Sequence, residues 1–414
     1  MDGTSAGSWK RRTHVAALSS ALAALSGGVL WAASSGVVAT SALGVFERVA
    51  GHPAHVIEHA RAARALETYA DIAWTSYADA ADAWRVVARA ADELLAAPSV
   101  QTLAAARHAW LQARIPYLQT EVYRFYGGPI DQIELLVNTW PIDESFIESP
   151  AHERLGIIDD VSRFPALSRE LLLRLNGDEG ETSISTGYHA VEFLLWGRDT
   201  AEDGPGDRPF ADFAADSGQR LIERRREYLS LASQLLAQHL DTLRDAWRPD
   251  VPDNARATFL ALPPSEALRR ILKGMGGLSG PELAGERLTV PYETRDPENE
   301  QSCFSDSTHQ DITYDAIGIE NVCLGRYKRR DGSWLKGLGL CELLRPLPHG
   351  AALAAQITAS VAAARALPNP FDSALAAADG DPRRQAIART IQALEAQTAT
   401  IAALAAELAH VGQP

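Results

Sequence analysis

Apolar residues recur at helical spacing through most of this chain, and strand-like alternation is scarce. From His55 to Ala97, Ile72, Tyr77, Trp84 and Val87 return at intervals that place them on one helical face of an alanine-rich segment. Pro98-Ser99 ends that run, and Ser99 or Thr102 supplies the cap of a second helix over 102–126. Its stripe is Trp110, Ile115, Leu118, Val122 and Phe125, with Pro116 inside as a source of a kink. Gly127-Gly128-Pro129 breaks it, and 128–165 reads as loop with short helical pieces. A short helix is expected at Leu167–Leu175 and a turn at 176–180. Another helix lies between Thr186 and Gly197. Residues 198–209, rich in Gly, Pro and Asp, read as a boundary. Beyond it the pattern predicts a long helix over 211–247 and helix over 255–285 interrupted at Gly274–Gly277 and Gly280-Pro281. A polar loop over 291–311 follows, then a turn at Arg330–Ser333 with room for one small hairpin, and alanine-rich helices at about 350–366 and 382–410. The predicted fold is all-α: two packed, four-helix-bundle-like domains with long loops, one over 43–200 and one over 210–414.

The helix between Thr186 and Gly197 is the most informative stretch. Aromatic and aliphatic residues fill it, yet His189 and Glu192 interrupt them three apart. Residues i and i+3 share a helix face, roughly 5–6 Å apart at Cβ. An imidazole and a carboxylate inside an apolar segment must be hydrogen-bonded, paired or bound to a metal. Histidine and glutamate at this spacing can present metal ligands to the core of a bundle, and imidazole plus carboxylate suits iron or zinc. The spacing alone is a weak signal, since His-x-x-Glu occurs twice in the chain. The plain alternative is a core histidine satisfied by a neighbouring carboxylate. Glu121, embedded in an apolar stripe, is equally readable as a solvated residue at the stripe's edge.

The wider text adds to this. Gly187-Tyr188-His189-Ala190-Val191-Glu192-Phe193 resembles the GxHxxE signature of the imelysin family, the M75 peptidase-like proteins. Ala109-Trp110 through Glu121-Val122-Tyr123-Arg124-Phe125 and Gly128-Pro129-Ile130-Asp131 resemble the family's first helix and its exit. Trp140-Pro141-Ile142-Asp143 resembles the loop that follows. The run from Gly274 to Arg287, and then Gln301-Ser302-Cys303-Phe304-Ser305-Asp306-Ser307-Thr308-His309-Gln310-Asp311, resembles the iron-regulated subgroup. One departure is Gln301, where many relatives carry His. The resemblance implies two helical bundles and nominates His189, Glu192 and Glu121 as metal ligands, with Glu286, Asp306 and His309 as additional site residues. The ion would be divalent or trivalent, iron favoured and zinc an option. For Glu286 the plain alternative is a surface residue paired with Arg287 or Arg270, for Asp306 a turn cap, and for His309 a surface pair with Asp311.

Composition narrows the function classes. Fifty-three acidic against 39 basic residues give a formal charge of −14, which argues against nucleic acid as a partner. Lys10-Arg11-Arg12 precedes an uncharged run from Val15 to Phe46 with small residues crowded at 32–42. Residues 1–42 therefore read as a secretory signal cleaved near Ala39–Ala42, or as a retained N-terminal anchor, which would be the sole membrane contact. The expected location is the periplasm or cell envelope. Three cysteines, Cys303, Cys323 and Cys341, allow one disulfide and one free thiol without fixing the pair. No nucleophile elbow, phosphate loop or haem motif is present, and no His-Glu-x-x-His. His55-Val56-Ile57-Glu58-His59 matches the inverted H-x-x-E-H pattern, but no downstream ligand accompanies it. Three readings follow. The first is an exported protein binding metal at His189 and Glu192 for uptake, alongside other envelope iron-uptake proteins. The second is a metallopeptidase of the M75 type with Glu192 in the catalytic role. The third is a surface interaction module with a vestigial motif.

Overall fold

The computed structural model describes residues 58–149, 155–200, 204–214 and 219–411. The expected signal or anchor, and the first three residues of the H-x-x-E-H stretch, lie outside them. Among the described residues the fold is all-α apart from one two-stranded hairpin. No helix among them is long and apolar enough to cross a membrane.

The first long helix, α1 (His59–Ala96), buries Ile72, Tyr77, Trp84 and Val87, the positions marked by its periodicity. Between them sit buried alanines, small enough to let neighbouring helices approach along its length. Ser99 caps α2 (Val100–Leu118) in a reciprocal box, its hydroxyl accepting from the Thr102 N–H at 3.1 Å while its own N–H donates to the Thr102 hydroxyl at 3.0 Å. The predicted helix over 102–126 is cut short. Pro116 has no N–H to give, and after Leu118 the chain tightens into a 3₁₀ turn at Glu121–Tyr123. The Asp131 carboxylate holds the exit by accepting from the N–H groups of Phe125, Tyr126, Gly127 and Gly128 at 2.7–3.2 Å.

The helix carrying His189 is α3 (Gly187–Trp196), and every one of its residues is buried. It packs on α4 (Arg220–Ala246), which also lies along α1. The Arg224-Arg225-Arg226 run on α4, expected to be a solvated face, is turned inward. Arg224 donates to the carbonyls of Ile157 and Ile158 at 2.7 Å, Arg225 pairs with Glu148, and Arg226 donates to the carbonyls of Phe213 and Leu95. These guanidiniums satisfy carbonyls left open by short or irregular segments and, at Leu95, by the last turn of α1.

Helix α5 (Pro264–Gly277) runs on without a break into a π-helical stretch, Leu278–Thr289. The predicted interruption at Gly274–Gly277 is absent because these glycines serve proximity. A Cβ on Gly274 would stand 2.5 Å from the Val122 carbonyl oxygen, so its absence lets α5 press on the 3₁₀ turn that carries Glu121. After a loop comes α6 (Thr308–Leu324), which claims the expected loop residues 308–311 and the stretch from Tyr314 whose periodicity is poor. The hairpin follows, β1 (Arg326–Lys328) antiparallel to β2 (Trp334–Lys336), with Tyr327 opposite Leu335. A disulfide joins Cys323 to Cys341 across it, leaving Cys303 free and buried. Helices α7 (Gly350–Ala364) and α8 (Pro382–Val411) pack on each other, with α8 also against α5 and the π-helical stretch.

Candidate functional site

Glycine opens the GxHxxE segment for a steric reason. Gly187 has φ +90° and a Cβ there would lie 2.6 Å from the Val137 carbonyl oxygen. That carbonyl accepts from the Tyr188 N–H at 2.8 Å, so the start of α3 is pinned to the 130s loop. One turn on, His189 and Glu192 meet: Nδ1 and Oε2 stand 2.7 Å apart, sharing a proton, with the two residues 1% and 0% exposed. The other carboxylate oxygen, Oε1, accepts from both the N–H and the hydroxyl of Ser305, at 3.0 and 2.6 Å. Both oxygens of Glu192 are thus committed, one to His189 and one to the loop 113 residues away. His189 Nε2 is buried with no hydrogen-bond partner.

Beside this pair, Arg114 of α2 is fully buried between the rings of Trp110, Tyr117 and Tyr188, its guanidinium carbon 5.0 Å from the Tyr188 centroid. It donates from Nε and Nη2 to the two carboxylate oxygens of Asp311, at 3.2 and 2.9 Å, and from Nη1 to the Asn138 side chain. A second ionic group centres on Arg287. It donates to Asp315 at 2.6 Å, to Glu121 at 2.9 Å and to Glu282 at 2.6 Å. Arg124 adds a further bond to Glu121 at 2.6 Å, and the Tyr117 hydroxyl donates to the remaining Glu121 oxygen at 2.9 Å.

These surroundings set the protonation states. Burial lowers the His189 pKa well below 6.5, and the Arg114 charge adds to it, so the ring is neutral. Burial pushes Glu192 up to about 8, with the Asp311 charge in the same direction and the Ser305 hydroxyl against it. Glu121 is the opposite case. Burial would raise it, but Arg124 and Arg287 outweigh burial and hold it down to about 2.

The structure brings His189 and Glu192 into contact and sets Glu121 within electrostatic reach of His189. Glu121 has no open oxygen, since guanidiniums and a phenol take both. Glu286 is exposed and takes no part, while Arg287 pairs with Glu121, Glu282 and Asp315, and Arg270 with Glu266. Asp306 adjoins Ser305 in a left-handed backbone conformation (φ 54°), with Oδ2 unpartnered. Burial and the charges of Asp372, Asp199 and Glu192 push it up to about 7. His309 is half-buried with Nδ1 unpartnered. Among the described residues no three or more His, Cys, Asp or Glu side chains gather so as to hold a metal ion. At α3 one donor can open to an ion, His189 Nε2, once the pair has released one proton, so that the proton left between them sits on Nδ1 and Glu192 is ionised. That is one ligand and not a set, so a resident ion held by protein ligands alone does not fit this arrangement.

Sequence reasoning passed over Arg114, Ser305, Asp311 and Asp315. Arg114 had a readable signal, four residues after Trp110 and seven before Glu121, on the same buried face. Asp311 and Asp315 are likewise one turn apart on α6. Ser305 carries no periodic signal, because it reaches Glu192 from a loop.

The family model described as imelysin (peptidase M75) matches residues 73–401. The chain is 27% identical over 290 residues, 69% of each chain, to iron-regulated protein A of Synechococcus elongatus. Its fold is similar to that of an assigned iron-regulated protein A precursor from Parabacteroides distasonis, with a TM-score of 0.64 at 18% identity, covering 85% of this chain and 96% of that one. It is also similar to an imelysin-like protein from Psychrobacter arcticum, with a TM-score of 0.55 at 15% identity, covering 83% and 93%.

Proposed function

Because the chain belongs to the imelysin family, we propose that it is an exported cell-envelope protein that binds a metal ion as cargo, iron ahead of zinc, in the service of metal uptake. One observation carries the reading: a neutral, fully buried imidazole keeps Nε2 without a partner while a carboxylate grips its other nitrogen. In metalloproteins a ligating histidine is commonly oriented in this way by a carboxylate behind it. Glu192 then positions the ligand and does not itself ligate, and Ser305 fixes Glu192. The remaining coordination positions belong to ligands that travel with the ion, which is consistent with cargo and not with a resident cofactor. The iron preference draws on the relatives named as iron-regulated.

Iron and zinc content and affinity of the purified protein test this. His189→Ala should abolish binding, and Glu192→Ala should weaken it about 10–100-fold by freeing the ring. Unchanged binding in both variants rejects the site. The peptidase reading requires Glu192 as an ionised base. Its pKa of about 8 and its two committed oxygens count against that role. Chelator-sensitive proteolysis lost in Glu192→Gln would restore it.

A further inference from the structure

Charge is unevenly spread on this molecule. The eleven residues of the hairpin and its turn, 326–336, hold five cations against one acid, in a chain whose formal charge is −14. Two of the chain's four lysines, Lys328 and Lys336, are among them. The strand register sorts these residues by face. Opposite residues of an antiparallel pair share a face, and neighbours along a strand alternate. Tyr327 lies opposite Leu335, and both turn toward the body, where the Tyr327 hydroxyl donates to Asp79 on α1 at 3.1 Å. The outer face is therefore Arg326 opposite Lys336, and Lys328 opposite Trp334.

That face is open. Trp334 is 48% exposed, and the Arg326 guanidinium carbon and the Lys336 ammonium stand 5.8 and 5.7 Å from its ring centre. Arg326 reaches Glu320 at 3.5 Å, while Lys328, Arg330 and Lys336 make no ion pair among the described residues. The acid of the segment, Asp331, accepts from the N–H and hydroxyl of Ser333 at 2.9 and 2.6 Å. Arg329 alone turns back, donating to Asp79 at 2.7 Å, and the Arg330 N–H donates to the same carboxylate at 3.1 Å. With the Cys323–Cys341 bond at its base, the hairpin is fixed at both ends, so its face is ordered before a partner arrives.

We propose that this outer face, Arg326, Lys328, Trp334 and Lys336, docks the protein on an anionic lipid surface. The cations meet phosphate headgroups and the indole sits where headgroups give way to acyl chains. Cations alone would be an ordinary solvated face. An indole held among them asks for a partner that is anionic outside and apolar just beneath, which a bilayer surface supplies. A dissolved polyanion would satisfy the charges and leave the indole in water. The rest of this acidic chain is repelled by such a surface, so the hairpin decides which side of the molecule approaches it. The docking does not depend on a metal at His189, and it is a contact separate from the N-terminal segment.

Co-sedimentation of the purified full-length chain with vesicles tests the proposal, phosphatidylcholine alone against phosphatidylcholine mixed with phosphatidylglycerol. Binding should favour the anionic vesicles, and that preference should vanish in about 1 M salt. Lys328→Gln and Lys336→Gln should each weaken binding to anionic vesicles about 5-fold. Trp334→Ala should weaken it by about 5-fold or more and leave the salt dependence unchanged. Lys273→Gln, an exposed position on α5, should match the wild type. Every variant keeps residues 1–42, so any binding through that segment is common to all. No binding, equal binding to both vesicle types, or binding that Trp334→Ala and both hairpin lysine variants leave intact overturns the proposal. A loss in Lys273→Gln equal to that in the hairpin variants reports net charge alone and overturns it too. Loss in the hairpin lysine variants with none in Trp334→Ala reports a polyanion site that needs no bilayer, which also overturns it.

Discussion

At the scale of single residues, His189 and Glu192 form a pair whose proton count differs from that of free side chains. Glu192 holds its proton up to about pH 8 in the fold and up to about 4.5 when unfolded. A raised carboxyl stabilises the folded state below its unfolded pKa and loses that stabilisation as pH climbs through the folded value. His189 works the other way, since its lowered pKa costs stability as pH falls below about 6.5. Between about pH 6.5 and 8 only Glu192 of the pair titrates, and stability should fall with rising pH there. Glu192→Gln should remove this slope, a difference of about 1–2 kcal/mol across the window, read as Tm against pH for the two proteins. The motif's presence in an apolar helix was legible in the sequence. The spending of both Glu192 oxygens was not, because Ser305 approaches from a loop whose residues carry no periodicity.

At the scale of elements, packing overrode local propensity in two places. Gly274–Gly277 looked like a breaker, since glycine costs about 1 kcal/mol relative to alanine in a helix interior. The helix continues because packing on the Glu121 turn rewards a missing Cβ. Gly274→Ala should therefore lower Tm despite its better propensity, by about 1–3 kcal/mol of crowding against the Val122 carbonyl. Gly276→Ala is the control, because its Cβ would meet only the Ile401 side chain at 3.3 Å. Thermal unfolding of both variants checks the contrast. The arginine run at 224–226 taught the same lesson. Charge along a helix reads as solvent-facing until tertiary structure supplies carbonyls to receive it, and those carbonyls belong to segments far away in sequence.

At the scale of the whole molecule, ionic groups tie distant elements together. Arg287 on the π-helical stretch joins Glu121 after α2, Asp315 on α6 and its own neighbour Glu282. Removing one member of a buried ion group typically costs 3–5 kcal/mol, because the partners stay buried and unpaired. Arg287→Leu should lose about that much in denaturant unfolding. Adding Glu121→Gln should restore part of it, so the double variant is less damaged than the two singles sum to. The all-α class was plain from periodicity. The links between elements were not, since Arg287 lies 28 positions from Asp315 and 166 from Glu121, and a single sequence gives no pairing between them.

The bond between Cys323 and Cys341 spans the whole hairpin, whose turn residues are exposed. A nick anywhere in that excursion would leave the flanking pieces covalently tethered. The two C-terminal helices, α7 and α8, would stay attached to the rest of the body after such a cut. In a compartment where secreted proteases circulate, the most accessible peptide bonds of this excursion can be severed without shedding any part of the protein.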